Sequence, residues 1–216
     1  MSNLEFSLHK IKSENTAALR RAGIEVIDHL PALDDSENRT EDVVAKRWIA
    51  MGALLQLHFK APETFIKEYL DENDLLEALS PKEKEILDSG YESLNDQQKT
   101  DLYWTIEAIW AFAWAGQKHD SFSLSTGVED SLASMLPNFA EKEAAHSFIA
   151  SYHLRSKKEL FSNLDMLYRA HWFARQRNLE GEKSALVDLD IVMERRKALE
   201  WICDAEKEWD NISLDT

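Results

Sequence analysis

Cysteine is almost missing from this sequence: Cys203 is the single one in 216 residues. No internal disulfide can form, so a reducing, cytoplasmic setting is the expected one. A zinc centre would have to be built from histidines and carboxylates alone. Glycine and proline are scarce as well, at 6 and 4, which leaves little material for the many tight turns of an all-β chain. Strand signals are lacking too, with no long alternating run and no Asn-Gly or Asp-Gly between apolar segments. No apolar run reaches the roughly 20 residues of a membrane span, and the opening MSNLEFSLHKIKSEN has no apolar core of signal-peptide length. There is no Gly-rich phosphate loop, no Gly-x-Ser-x-Gly and no paired-His metalloprotease motif, so no cofactor or catalytic centre is expected from motifs. Basic residues are also in deficit: 25 Lys and Arg stand against 40 Asp and Glu, a formal charge of −15. Phosphate binders need a basic face, so this balance argues against nucleic acid and against an anionic membrane surface. It suits a basic protein partner, and it also serves solubility alone. The oligomeric state is left open.

Ala, Leu, Glu and Lys dominate, which favours helix, and the length suits one core and one domain. The expectation is an all-α, single-domain bundle of about seven to nine helices, with residues 1–39 as a more loosely attached segment. Its centre is the stretch Gln98–Gly116, apolar nearly all round, opened by an Asn95/Gln98 capping box and stopped by Gly116. Before it, helices are expected over 14–22 behind Ser13, over 40–60 behind Thr40, over 62–70 with Pro62 at the first helical position, and over 80–88 behind a Ser80/Glu83 capping box, with a turn or two at 75–79. After it come 128–135, then 139–154, a long helix from a Ser156/Glu159 capping box to about Arg177, and a last helix near 185–207.

Several polar side chains fall on apolar faces. Glu107 sits among Tyr103, Trp104, Trp110, Ala111 and Trp114 at helical spacing, where a carboxylate is either protonated or paired. Arg47 lies inside the face of Val43, Val44, Trp48 and Met51, as a snorkelling side chain or as a buried partner for an acid such as Glu107. His171, Trp172 and Arg175 continue the inner face of the long helix with Arg169 beside it, and Glu194 and Arg195 fall within the stripe of the last one. At least one Arg–Glu pair is expected across helices, with Glu107 and either Arg47 or Arg195 as leading partners. The set reads either as an ion network that fixes helix register or as a small pocket for an anionic ligand, with Arg forks, Trp walls and His171 as acid or base. Glu143-x-x-His146 has the spacing of one half of a di-iron carboxylate site, but no second such motif exists, and a solvated pair is expected there. Glu200, Asp204 and Glu208, one turn apart, are expected as a solvated acidic face rather than a calcium site.

The runs Asp165-Met166-Leu167-Tyr168-Arg169-Ala170-His171-Trp172, Val192 through Trp201, and Trp209-Asp210, together with Arg39 through Arg47, Leu79 through Glu83 and Ile106-Glu107-Ala108, resemble the family called domain of unknown function 4272. The resemblance implies a cytoplasmic helical domain and carries no established activity. On the residues themselves, the expected function is a non-enzymatic interaction module that binds a basic protein, such as an inhibitor or toxin-neutralising factor. The alternative is a small anionic-ligand binder or enzyme using the Arg/Glu/His cluster.

Overall fold

A computed structural model of the chain describes residues 7–216. Its helices are α1 (Leu8–Arg21), α2 (Glu41–Leu55), α3 (Glu63–Glu72), α4 (Pro81–Ser89), α5 (Asp96–Ala115), α6 (Leu132–Met135), α7 (His146–Ala150), α8 (Lys157–Leu179) and α9 (Leu189–Cys203). Short 3₁₀ turns lie between them at Leu76–Ala78, Tyr91–Ser93 and Phe139–Glu141 and after α9 at Trp209–Asn211, and no strand occurs among the described residues. The fold is an all-α bundle.

Helix α5 packs between α2 and α9, α9 also packs on α8, and α8 on α1. From Glu107 to Ala115 every residue of α5 is buried, but in its N-terminal half only Leu102 is, and Tyr103 is 43% exposed. Helix α2 is as deep, buried from Ile49 to Leu55 without a break, so two central helices share the core. Val43, placed on the apolar face by the sequence, is 42% exposed because it lies one residue off the stripe that begins at Val44. One hydrophobic cluster runs from Leu19 to Trp209.

Local chemistry sets the ends. The three capping boxes form at Ser80, Asn95 and Ser156. Gly116 ends α5 at φ −85°, an ordinary value. Glycine is needed there for room, because a Cβ would lie 2.1 Å from the Tyr152 ring. Tyr152 is held in that position by donating to the Phe112 carbonyl at 2.6 Å.

Other ends differ from the sequence expectation. Helix α1 starts at Leu8 under a Ser7 cap, six residues early. Its buried stripe includes Asn15 and Thr16, polar residues that hide the periodicity. Asn15 donates to the Ser162 carbonyl at 2.8 Å and to Asp165 Oδ2 at 2.9 Å. With Ile24, Val26 and Leu30 buried, residues 8–30 are fastened to α8 and the core rather than loosely attached. Pro62 caps α3 instead of starting it. The helix expected over 139–154 breaks up. Asn138 N–H donates to the Glu143 carboxylate at 2.8 Å, Lys142 turns left-handed at φ 50°, and only α7 remains helical beyond a 3₁₀ turn. Glu143 and His146 therefore do not share a helix, and among the described residues no three His, Cys, Asp or Glu side chains are placed to hold a metal ion. The 128–135 helix shrinks to α6, and α9 starts at Leu189 under an Asp188 cap, four residues after the expected start. None of these helices is long and apolar enough to cross a membrane.

Candidate functional site

Glu107 is 4% exposed and its charge is matched across helices. Its Oε2 accepts from Arg195 Nε at 2.9 Å and from Nη2 at 2.7 Å, and its Oε1 accepts from the Val128 N–H at 3.2 Å. Arg195 also donates to the carbonyls of Ser123 at 2.5 Å and Thr126 at 3.0 Å. The pair thus ties α5, α9 and the loop between α5 and α6 together. Burial lowers the Arg195 pKa, and the Glu107 carboxylate opposes that shift.

Arg47 takes a different acid. Its fork binds Glu83 at 2.5 and 2.7 Å and the Ala78 carbonyl at 2.7 Å, joining α2 to the start of α4. The Glu83 carboxylate also accepts from the Ser80 N–H at 2.8 Å, so one side chain closes the capping box and neutralises Arg47. Arg169 is fully buried and paired within α8 to Asp165 at 2.6 and 2.9 Å, with a further bond to the Pro31 carbonyl at 3.1 Å. His171 is 1% exposed, with Nδ1 2.9 Å from Arg196 Nη1. The guanidinium is a donor only, so Nδ1 accepts and the proton of the neutral ring sits on Nε2. Desolvation first, then Arg196 and Arg175, push its pKa down to about 4. Arg196 in turn donates to Glu200 at 3.2 Å and to the Leu214 and Asp215 carbonyls, and Lys207 closes on Glu200 from the other side.

Arg47, Glu107 with Arg195, Arg169 and His171 therefore enter four separate partnerships, and no hydrogen bond among the described residues links one partnership to the next. Trp172 is half-buried and Arg175 is exposed, because α8 runs beyond the core over its last turns. Glu194 is half-buried without an ion-pair partner among the described residues, and burial pushes its carboxyl up to about 7. Glu200, expected on a solvated face, is buried. The residues that the sequence left out are the partners Glu83, Asp165, Arg196 and Glu200. Their signal was weak, since Glu83 already had a capping role and Asp165/Arg169 and Arg196/Glu200 are i,i+4 pairs that look like surface pairs.

Near the C-terminus the chain returns to the start of α4. Asp210 accepts from Ser80 Oγ at 2.7 Å and from the Lys82 N–H at 3.0 Å, an acid at a helix N-terminus. Trp209 lies 4.4 Å from the Arg47 guanidinium, and Trp201 lies 4.1 Å from that of Arg39. A cleft of about 560 Å³ opens beside these residues. The separate stretches that carry the family likeness, Arg39–Arg47, Leu79–Glu83, Trp201 and Trp209-Asp210, meet around it.

The family model described as Domain of unknown function (DUF4272) matches residues 11–212. The chain belongs to that family. No curated protein and no solved structure matches it.

In this DUF4272 chain the four buried arginines are matched by four buried carboxylates, so the interior is electrically balanced and the charge excess lies at the surface. Its densest part is α3, α4 and the turns beside them: residues 63–92 hold ten carboxylates against three lysines. Glu83 alone of the ten is buried. A groove between α3 and α4 has Leu76 and Leu87 at its floor and Glu68, Asp71, Glu77 and Asp88 along its walls. Lys67 bridges to Asp88 at 3.0 Å and Lys84 to Glu77 at 2.9 Å, while Glu63, Asp71, Asp74 and Glu85 make no ion pair among the described residues.

Proposed function

We propose that this protein is a non-enzymatic, cytoplasmic interaction module that binds a basic protein partner through the acidic face of α3 and α4, in the manner of an inhibitor or neutralising factor. The observation that carries the reading is the concentration of unpaired carboxylates on that face, while the buried charges cancel one another. Complementary charge steers association and sets partner choice more than it adds affinity. The same face repels phosphate backbones and anionic lipid, which leaves a basic protein as the fitting partner class. The buried arginines each engage an internal acid, and His171 is closed off from solvent, which weighs against that cluster as a catalytic centre.

The test is binding of a lysine-rich synthetic peptide by titration calorimetry at 50 and 300 mM salt. Affinity should fall with salt, and Glu68→Lys/Asp71→Lys should weaken it at least tenfold, whereas reversing the exposed Glu14 on α1 and Glu25 just after it should not. Salt-independent binding, or equal losses from both double variants, would refute the reading.

A second reading rests on Arg39, which donates to the Trp201 carbonyl at 2.9 Å and to that of Lys207, stacks on Trp201 and has no carboxylate in ion-pair range among the described residues. It would make the adjoining cleft a site for a small anion. Titration with inorganic phosphate, followed by Trp fluorescence, should then give saturable quenching that Arg39→Gln abolishes.

A further inference from the structure

Helix α3 carries acids on one side and an apolar wall on the other. Pro62, Phe65, Ile66 and Tyr69 line a pocket of about 270 Å³ that is closed by the end of α2 and by Phe139 and Ala140. Among the described residues no charged side chain lines it. Tyr69 meets Phe139 edge-on at 5.2 Å, and the Tyr69 hydroxyl is tied to the Glu143 carbonyl at 3.0 Å, so the floor is fixed. Phe65 and Gln56 are half-buried and Ala140 is exposed, which leaves the mouth open to solvent. One bulky side chain fills such a volume.

The rim shows which charge belongs beside it. Lys142, held in a left-handed turn, reaches Glu68 at 3.2 Å and Glu72 at 3.3 Å, with its ammonium 5.5 Å from the Phe65 ring. An ammonium between carboxylates and against an aromatic ring is thus already accommodated here by the chain itself. Asp71 further along α3, Asp74 in the turn after it and Glu85 on α4 offer further carboxylates with no ion-pair partner among the described residues.

We propose that the α3 pocket is the anchor site for a basic amphipathic segment of the partner protein, one bulky apolar side chain entering between Phe65 and Ala140 while its lysines or arginines lie along the α3 and α4 carboxylates. This rests on the proposed acidic-face function and adds the apolar anchor to it. Charge selects the class of partner, and the pocket selects within that class, as a buried anchor ringed by polar contacts does at other interfaces.

The experiment uses two synthetic helical peptides of equal positive charge, one amphipathic with Leu and Trp on one face, the other with those residues replaced by Gln. Both are titrated into the full chain. The amphipathic peptide should bind about ten- to a hundredfold more tightly, the gain expected from burying one large apolar side chain. Ala140→Trp, which plugs the pocket from its exposed rim, and Phe65→Ala, which removes its wall, should each erase most of that ratio and leave binding of the Gln peptide unchanged. Thermal melts of both variants check that the fold is intact. Equal affinities for the two peptides, or a ratio that survives both variants, would overturn the anchor site while leaving the acidic-face reading standing. Failure of both peptides to bind would remove the acidic-face reading itself. A dimer of the free chain that Ala140→Trp dissolves would give the pocket to a second copy and overturn the inference.

Discussion

Replacing Glu107 with alanine should be among the most damaging single changes in this protein. The substitution leaves Arg195, wholly buried, with two backbone carbonyls and no counter-charge, and it frees the Val128 N–H. Breaking a buried pair from one side costs on the order of 3–5 kcal/mol. A domain of this size has roughly 5–15 kcal/mol in total, and each kcal/mol moves its melting point by about 2–4 °C. The expected drop is therefore roughly 6–20 °C. Urea denaturation followed by Trp fluorescence reads the same loss as a shift in midpoint at constant slope. The double variant Glu107→Leu/Arg195→Met removes both charges together, and a buried pair replaced by apolar residues is often neutral in stability. The double should therefore be more stable than Glu107→Ala, because only loop groups that water can reach are left unpaired. A loss below about 0.5 kcal/mol for Glu107→Ala would place the carboxylate at an exposed site. Simple additivity of the two single changes would show that the charges are not coupled. Either result refutes the reasoning.

Four further outcomes are expected. His171 has its pKa depressed to about 4 in the fold, against about 6.5 in the unfolded chain, so its contribution is fully present above pH 6.5 and is lost as pH falls toward 4, on the order of 3 kcal/mol; His171→Gln should flatten that part of the stability–pH curve. Glu194 has the opposite sign: its folded pKa of about 7 lies above the unfolded value, so stability falls as pH rises from about 4.5 through 7, and Glu194→Gln should raise the melting point at pH 8 but not at pH 4. Gly116→Ala drives a methyl into the Tyr152 ring and should cost about 1–3 kcal/mol by urea denaturation, a cost that Tyr152→Leu in the same chain should relieve. Burial pushes the Cys203 thiol up to about 12, so a disulfide reagent should modify it only at the rate of unfolding, and immediately in urea.

What the sequence disclosed follows the range of the interactions. The capping boxes at Ser80, Asn95 and Ser156 and the apolar α5 are written within a few residues, and they stand where the pattern put them. The burial of Glu107 was legible from its helical neighbours, and Arg195 is the partner it takes. The partner of Arg47 was not, because Glu83 already had a local task as the third residue of a capping box. Arg175 was misplaced by extending the stripe of α8 past the point where the core ends. Glu143 and His146 looked helical by propensity, but the hydrogen bond from Asn138 to Glu143 bends the chain there instead. The apolar pocket was invisible, since its walls come from the end of α2, from α3 and from a 3₁₀ turn some 70 positions further on.

The seating of Asp210 on the first turn of α4 has a consequence for biosynthesis. Ser80 and Lys82 find their acceptor in a residue made about 130 positions later, and the Arg39 segment hydrogen-bonds to carbonyls between Trp201 and Lys207. The first half of the polypeptide therefore emerges from the ribosome with its local capping box in place and these long-range acceptors still to be synthesised. Arg47 and Glu83 can pair as soon as α4 is made, but the bonds to Asp210 and to the 201–207 carbonyls wait for α9 and the turn after it.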